Sequence, residues 1–99
     1  GDYMLGGQKV IKRGNKATLM DGITIAGSVS NLMDCMKLAV REMNIPIEVA
    51  VKCSCVNPVK ALGLGDSYGA IEAGRVANVV VLDGDLNVAG VIMGGKILR

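Results

Sequence analysis

Val79-Val80-Val81-Leu82 is an apolar run without alternation, set between Asn78 and Asp83. Strand side chains alternate between two faces, so an unbroken apolar run belongs in a sheet covered on both sides. Only a few other short strands can be drawn after Asp66, at residues 70–71, 88–93 and 96–98. Glu72-Ala73-Gly74-Arg75, Asp83-Gly84-Asp85 and Gly94-Gly95 separate them as turns. So few strands cannot cover both of their own faces, and a second layer is required from residues this chain does not contain. The composition agrees: 51% of the 99 residues are hydrophobic and 14 more are glycine, where an ordinary domain has about 45–50% for both together. Tyr3 and Tyr68 are the only aromatic residues, so the surplus is aliphatic and methionine-rich.

Charge excludes several classes. Eleven Lys and Arg against nine Asp and Glu give +2, spread along the chain, too weak a balance for a nucleic-acid or anionic-membrane footprint. No apolar segment reaches the about 18 residues of a membrane span, and Gly1-Asp2 does not open a signal peptide, so a cytoplasmic protein without membrane partners is expected. Cys35, Cys53 and Cys55 lack C-x-x-C spacing and read as inert thiols. With no histidine in the sequence, a mixed zinc site has no imidazole ligand, and the acids sit mostly on turns, away from the converging geometry paired carboxylates need. Chemistry confined to this chain is not expected.

Along the chain, residues 7–12 and 17–20 read as two strands joined by Arg13-Gly14-Asn15-Lys16 and closed by Asp21-Gly22. Such a ribbon needs another surface to cover it. Val29, Leu32, Met33, Met36, Val40 and Met43 then follow helical spacing, predicting a helix over 28–44 with Ser28 or Ser30 as cap and Gly27 easing the entry. Ile45-Pro46 starts a second helix, Asn57-Pro58 interrupts it, and a third short helix runs to Leu62 before Gly63 and Gly65. Gly63-Leu64-Gly65 reads as a cap and turn, and no phosphate-binding P-loop is present. Ile25-Ala26-Gly27-Ser28, placed before a helix start, is the best local candidate for touching a ligand.

Four strings together resemble one family: Leu5-Gly6-Gly7-Gln8; Thr24-Ile25-Ala26-Gly27-Ser28; Asn57-Pro58-Val59-Lys60-Ala61-Leu62-Gly63-Leu64; and the stretch 69–83 with its Ala73-Gly74-Arg75-Val76-Ala77-Asn78 centre. The last two are patterns of the amidohydrolase superfamily. Combined with the first two, they resemble the C-terminal portion of the N-acetylglucosamine-6-phosphate deacetylases, over nearly the whole chain. The resemblance implies an α+β fragment: terminal helices of a metal-dependent (β/α)8 barrel plus strands of the small β-sandwich domain, divided as 1–64 for the barrel part with hairpin and helices and 65–99 for the returning strands.

It further implies a parent that hydrolyses the acetamide of N-acetylglucosamine 6-phosphate to glucosamine 6-phosphate and acetate, with a divalent metal (zinc, iron or similar) as Lewis acid and an Asp moving the proton. That Asp would precede Gly1, so Asp2 does not take its role; no catalytic residue, metal ligand or cofactor is expected in the fragment itself. Ile25, Ala26 and Gly27 would bind the amino-sugar phosphate substrate by positioning it. The sequence departs from the family in two places: Ile23 is an extra residue between Gly22 and Thr24, and Asn78 stands where Asp is frequent. A homo-oligomer is expected, because bare apolar faces and open strand edges favour association. The alternatives are the C-terminal part of another amidohydrolase, such as a dihydropyrimidinase or cytosine deaminase-like protein, or a non-catalytic assembly module.

Overall fold

A computed structural model describes residues 1–99. The chain forms two compact units, Gly1–Cys35 and Met36–Arg99. It is α+β, with helices and two small antiparallel sheets.

The first unit is a four-stranded antiparallel meander, β1 (Asp2–Leu5), β2 (Gln8–Arg13), β3 (Lys16–Leu19) and β4 (Ile25–Gly27), paired in chain order. The two central strands are those the alternation predicts. The outer two correct the sequence reading, which assigns no strand at residues 2–5 and reads Ile25-Ala26-Gly27 only as a string before a helix start. Pairing decides both. Leu5 faces Gln8 across Gly6-Gly7, whose φ values of 54° and 81° suit a two-residue turn with both central residues left-handed. At the same end of the sheet as Lys12, the Gly1 ammonium donates to the Lys12 carbonyl at 2.8 Å and the Lys12 N–H to the Gly1 carbonyl at 2.8 Å. On the other side, Thr18 faces Ile25 and Ala17 faces Gly27, leaving Ala26 as the extra residue of a β-bulge.

The second unit carries most of the helix. The chain enters it inside α1 (Leu32–Arg41), which is shorter than the predicted 28–44. The cap is Asn31, not Ser28 or Ser30: the Asp34 N–H donates to Asn31 Oδ1 at 2.8 Å and the Asn31 N–H to Asp34 Oδ2 at 3.2 Å, a reciprocal capping box. Ser28 Oγ instead accepts from the Ser30 N–H at 3.1 Å. Asn44, left-handed at φ 53°, ends the helical spacing where the sequence places the end.

Helices α2 (Ile47–Val51) and α3 (Asn57–Ala61) are joined by a π-helical turn over Lys52–Val56. The predicted interruption at Asn57-Pro58 is thus not a break. Pro58 lacks an N–H and its ring collides with a carbonyl four residues back in a regular helix; the widened turn, in which the Asn57 N–H reaches the Lys52 carbonyl, carries the chain past it. After Leu62, Gly63 at φ 72° stops the helix, with the Leu64 N–H on the Val59 carbonyl at 2.9 Å and the Gly63 N–H on the Lys60 carbonyl at 3.0 Å.

Strands β5 (Val79–Leu82), β6 (Val88–Met93) and β7 (Lys96–Ile97) form the second sheet in that order. Ala70-Ile71 is not a strand: no partner pairs with it and Ile71 is 85% exposed. Asn78 serves this sheet, its Oδ1 accepting the Gly94 N–H of the β6–β7 turn at 2.8 Å.

Burial bears on the missing layer. Val10, Met36, Ala50 and Leu86 are the buried apolar residues, and no large side chain is fully enclosed. Val80 and Val81 are each about half exposed, between Val79 and Leu82 of intermediate burial, so the run that called for cover is only partly covered.

Candidate functional site

The predicted contact residues lie together on β4, at an edge of the first sheet. An edge strand presents N–H and C=O groups that no neighbouring strand satisfies, and the bulge at Ala26 adds a residue outside the ladder. Ile25 is 75% exposed, Ala26 half-buried and Gly27 exposed. Sequence reading gives Gly27 a special backbone conformation, which the structure does not: Gly27 is absent from the left-handed region, and a Cβ there would meet only Leu5 Cδ2 at 3.8 Å, an ordinary contact. The fold does not demand glycine at this position. Gly27→Ala should therefore leave stability within about 0.5 kcal/mol of the parent sequence, checked by urea denaturation.

The loop before β4 is held by Asp21. Its Oδ1 accepts from the Ile23 and Thr24 N–H groups, each at 2.8 Å, and its Oδ2 from the Thr24 hydroxyl at 2.5 Å. The Thr24 hydroxyl and then these two N–H groups hold the Asp21 carboxyl below the usual carboxylate range. The extra residue, Ile23, is pushed outward and 84% exposed, while pairing resumes at once through the Leu19 N–H and the Thr24 carbonyl at 2.8 Å. Because the folded-state pKa is depressed, the clamp is complete above the unfolded-state value and is lost as pH falls through the folded one. Acidification below about pH 4 should lower the protection of the Ile23 and Thr24 amides relative to their intrinsic exchange, and Asp21→Asn should remove that acid dependence.

Two hollows are present, one of about 180 Å³ lined by residues between Ala70 and Val79, and one of about 140 Å³ at Ile11, Arg13, Lys16, Thr18 and Gly22. Both are small beside the roughly 300–1,000 Å³ of pockets that enclose a whole small molecule. No group of three or more Cys, Asp or Glu side chains converges to hold a metal ion. Sequence reasoning missed the second hollow, because only cross-strand register brings Arg13, Lys16 and Thr18 together. Ser-capping was also misjudged, although the Asn31-x-x-Asp34 spacing carries the signal for it.

These features place Ile25, Ala26 and Gly27 on an open strand edge of an α+β chain. The Amidohydrolase family profile matches residues 7–98, and the chain belongs to that family. Its sequence is 36% identical over 73 residues to N-acetylglucosamine-6-phosphate deacetylase of Haemophilus influenzae, covering 74% of this chain and 19% of that protein. It is also 32% identical over 84 residues to the imidazolonepropionase of Picrophilus torridus, covering 85% of this chain and 21% of that one. The crystal structure of N-acetylglucosamine-6-phosphate deacetylase from Pasteurella multocida superposes with a TM-score of 0.86 at 29% identity, covering 97% of this chain and 25% of that structure. The chain thus spans about a quarter or less of the length of the proteins it matches. No helix is long and apolar enough to cross a membrane.

Proposed function

We propose that this chain is the C-terminal part of an N-acetylglucosamine-6-phosphate deacetylase. The whole protein hydrolyses the acetamide of N-acetylglucosamine 6-phosphate, giving glucosamine 6-phosphate and acetate. The observation that carries this reading is the match of about three quarters of the chain in sequence, and nearly all of it in backbone, to deacetylases of that name. Residues 1–64 then belong to the barrel domain and 65–99 to the β-sandwich, and the uncovered faces of β5 and α1 pack in the parent against residues outside this chain.

In that parent a divalent metal supplies Lewis-acid activation of the amide and its attacking water when bound. The residues of this chain do not fit such an ion: there is no imidazole, and no set of acidic or thiol side chains converges. What the chain contributes is position. Ile25 offers an exposed apolar contact to the sugar, and the open edge at Ala26 and Gly27 offers backbone groups to its hydroxyls. The protein is cytoplasmic and a homo-oligomer, its bare apolar surface favouring association.

Acetate release from N-acetylglucosamine 6-phosphate by the metal-loaded whole protein tests the activity. The similarity to an imidazolonepropionase supplies the competing result: turnover of imidazolonepropionate without acetate release would replace this reading. In the same assay Gly27→Ala and Ile25→Ala should raise KM several-fold while kcat changes less, as expected of groups that position substrate without taking part in proton transfer.

A further inference from the structure

We propose that Arg13, Lys16 and Thr18 form a binding site for a tetrahedral oxyanion, either inorganic phosphate or the phosphoryl end of a small ester. The site lies wholly within Gly1–Cys35 and does not depend on the deacetylase reading.

Arg13 faces Lys16 and Ile11 faces Thr18 across β2 and β3. The two pairs are two residues apart, so all four side chains share one face of the sheet. There they line the hollow of about 140 Å³, with Gly22 at its rim. That volume suits a small anion or the end group of a larger molecule, and not a whole sugar.

Two observations point to a ligand. Like charges placed directly opposite on neighbouring strands are destabilising, yet neither cation has an acidic partner: the chain's ion pairs are Arg41–Asp85 and Arg75–Glu72. Asp21, in the adjoining loop, spends its oxygens on Ile23 and Thr24. Independently, Thr18 is buried to 9% exposure and lines the hollow, while its hydroxyl makes none of the side-chain hydrogen bonds of the chain and keeps some accessible surface. The residues lining this small space carry a guanidinium fork, an ammonium and a hydroxyl, which are donors that a phosphate group takes.

The test is an NMR titration of the full chain with inorganic phosphate, and separately with methyl phosphate, at constant ionic strength. Saturable shifts centred on Arg13, Lys16, Thr18 and Gly22 are expected. Lys16→Gln and Arg13→Gln should each weaken binding about ten-fold. Thr18→Val keeps the β-branched shape and the fold, and should weaken it several-fold. Tighter binding of methyl phosphate assigns the site to an ester, and binding of inorganic phosphate alone assigns it to the free ion. Shifts that do not saturate, that spread equally to Lys9 and Lys12, or that survive all three substitutions would overturn the proposal.

Discussion

Arg75→Met is expected to cost the unit Met36–Arg99 about 3 kcal/mol of stability, the largest loss from any single polar side chain. The guanidinium donates to the Gly65 carbonyl, to the Tyr68 carbonyl at 3.0 Å and to Glu72 Oε2 at 3.0 Å. Its contacts tie together a stretch with no helix or strand, residues 65–76, and its side chain is only 21% exposed. Hydrogen bonds from a charged donor contribute about 1.5–3 kcal/mol when sheltered, as the one to the partly buried Gly65 carbonyl is, with less from the exposed Tyr68 carbonyl, whereas the ion pair to the exposed Glu72 adds less than about 1 kcal/mol. The carbonyl contacts therefore dominate, and Glu72→Gln should be nearly silent. Arg75→Lys should recover part of the loss, because both carbonyls accept from the single nitrogen Nη1, and an ammonium also carries several donors on one nitrogen. Urea denaturation reads the loss. Amide exchange at Val76, whose N–H donates to the Ser67 carbonyl at 2.8 Å, localises it. A loss under about 1 kcal/mol for Arg75→Met would mean that water replaces the fork at these carbonyls.

How much of this was legible in the sequence depends on whether the deciding interaction is local. The β2–β3 ribbon, the helical stripe through Met36, the stop at Gly63 and the strands β5 and β6 all follow from spacing and turn residues within a short window. β4 does not, because three residues containing glycine and followed by serine read only as the approach to a helix until Ala17 and Thr18 supply the partner strand. Ala70-Ile71 fails for the opposite reason: its residue types suit a strand, but nothing pairs with it. At Asn57-Pro58 the local rule against proline in a helix is sound; the chain satisfies it by widening one turn. Of the candidate site, Ile25-Ala26-Gly27 was legible as a string before a helix, but its edge position and bulge were not. The Arg13, Lys16 and Thr18 grouping belongs to register, which a linear reading does not contain. Even the incomplete cover was legible: four apolar residues without alternation implied a layer that the sheet itself could not provide, and the half-exposed Val80 and Val81 are its physical form.

Leu86→Gly is expected to be more stable than Leu86→Ala, a reversal of the usual order. Leu86 is buried to 8% exposure at a φ of 60°, a region in which a Cβ costs about 1–2 kcal/mol. The turn around it is over-determined. Asp83 Oδ1 accepts the Asp85 and Asn87 N–H groups at 2.9 and 2.8 Å, and the Leu86 N–H reaches the Asp83 carbonyl at 3.0 Å. From α1, Lys37 Nζ donates to Asn87 Oδ1 at 2.7 Å and Arg41 donates to the Asp85 carbonyl. Burying a leucine side chain contributes about 1.5–3 kcal/mol, which exceeds the backbone cost, so leucine is retained despite its conformation. Alanine forfeits the burial and keeps the Cβ penalty, for a loss of about 3 kcal/mol. Glycine forfeits the same burial but sheds the penalty; after the greater freedom of an unfolded glycine is offset, it should lie about 1 kcal/mol above alanine. Leu86→Asn, with a residue that tolerates the left-handed region, should fall near glycine for the same reason. Denaturation midpoints of the three variants decide the matter: alanine at or above glycine would show that the turn relaxes when the side chain is cut back, and that burial alone sets the conformation of Leu86.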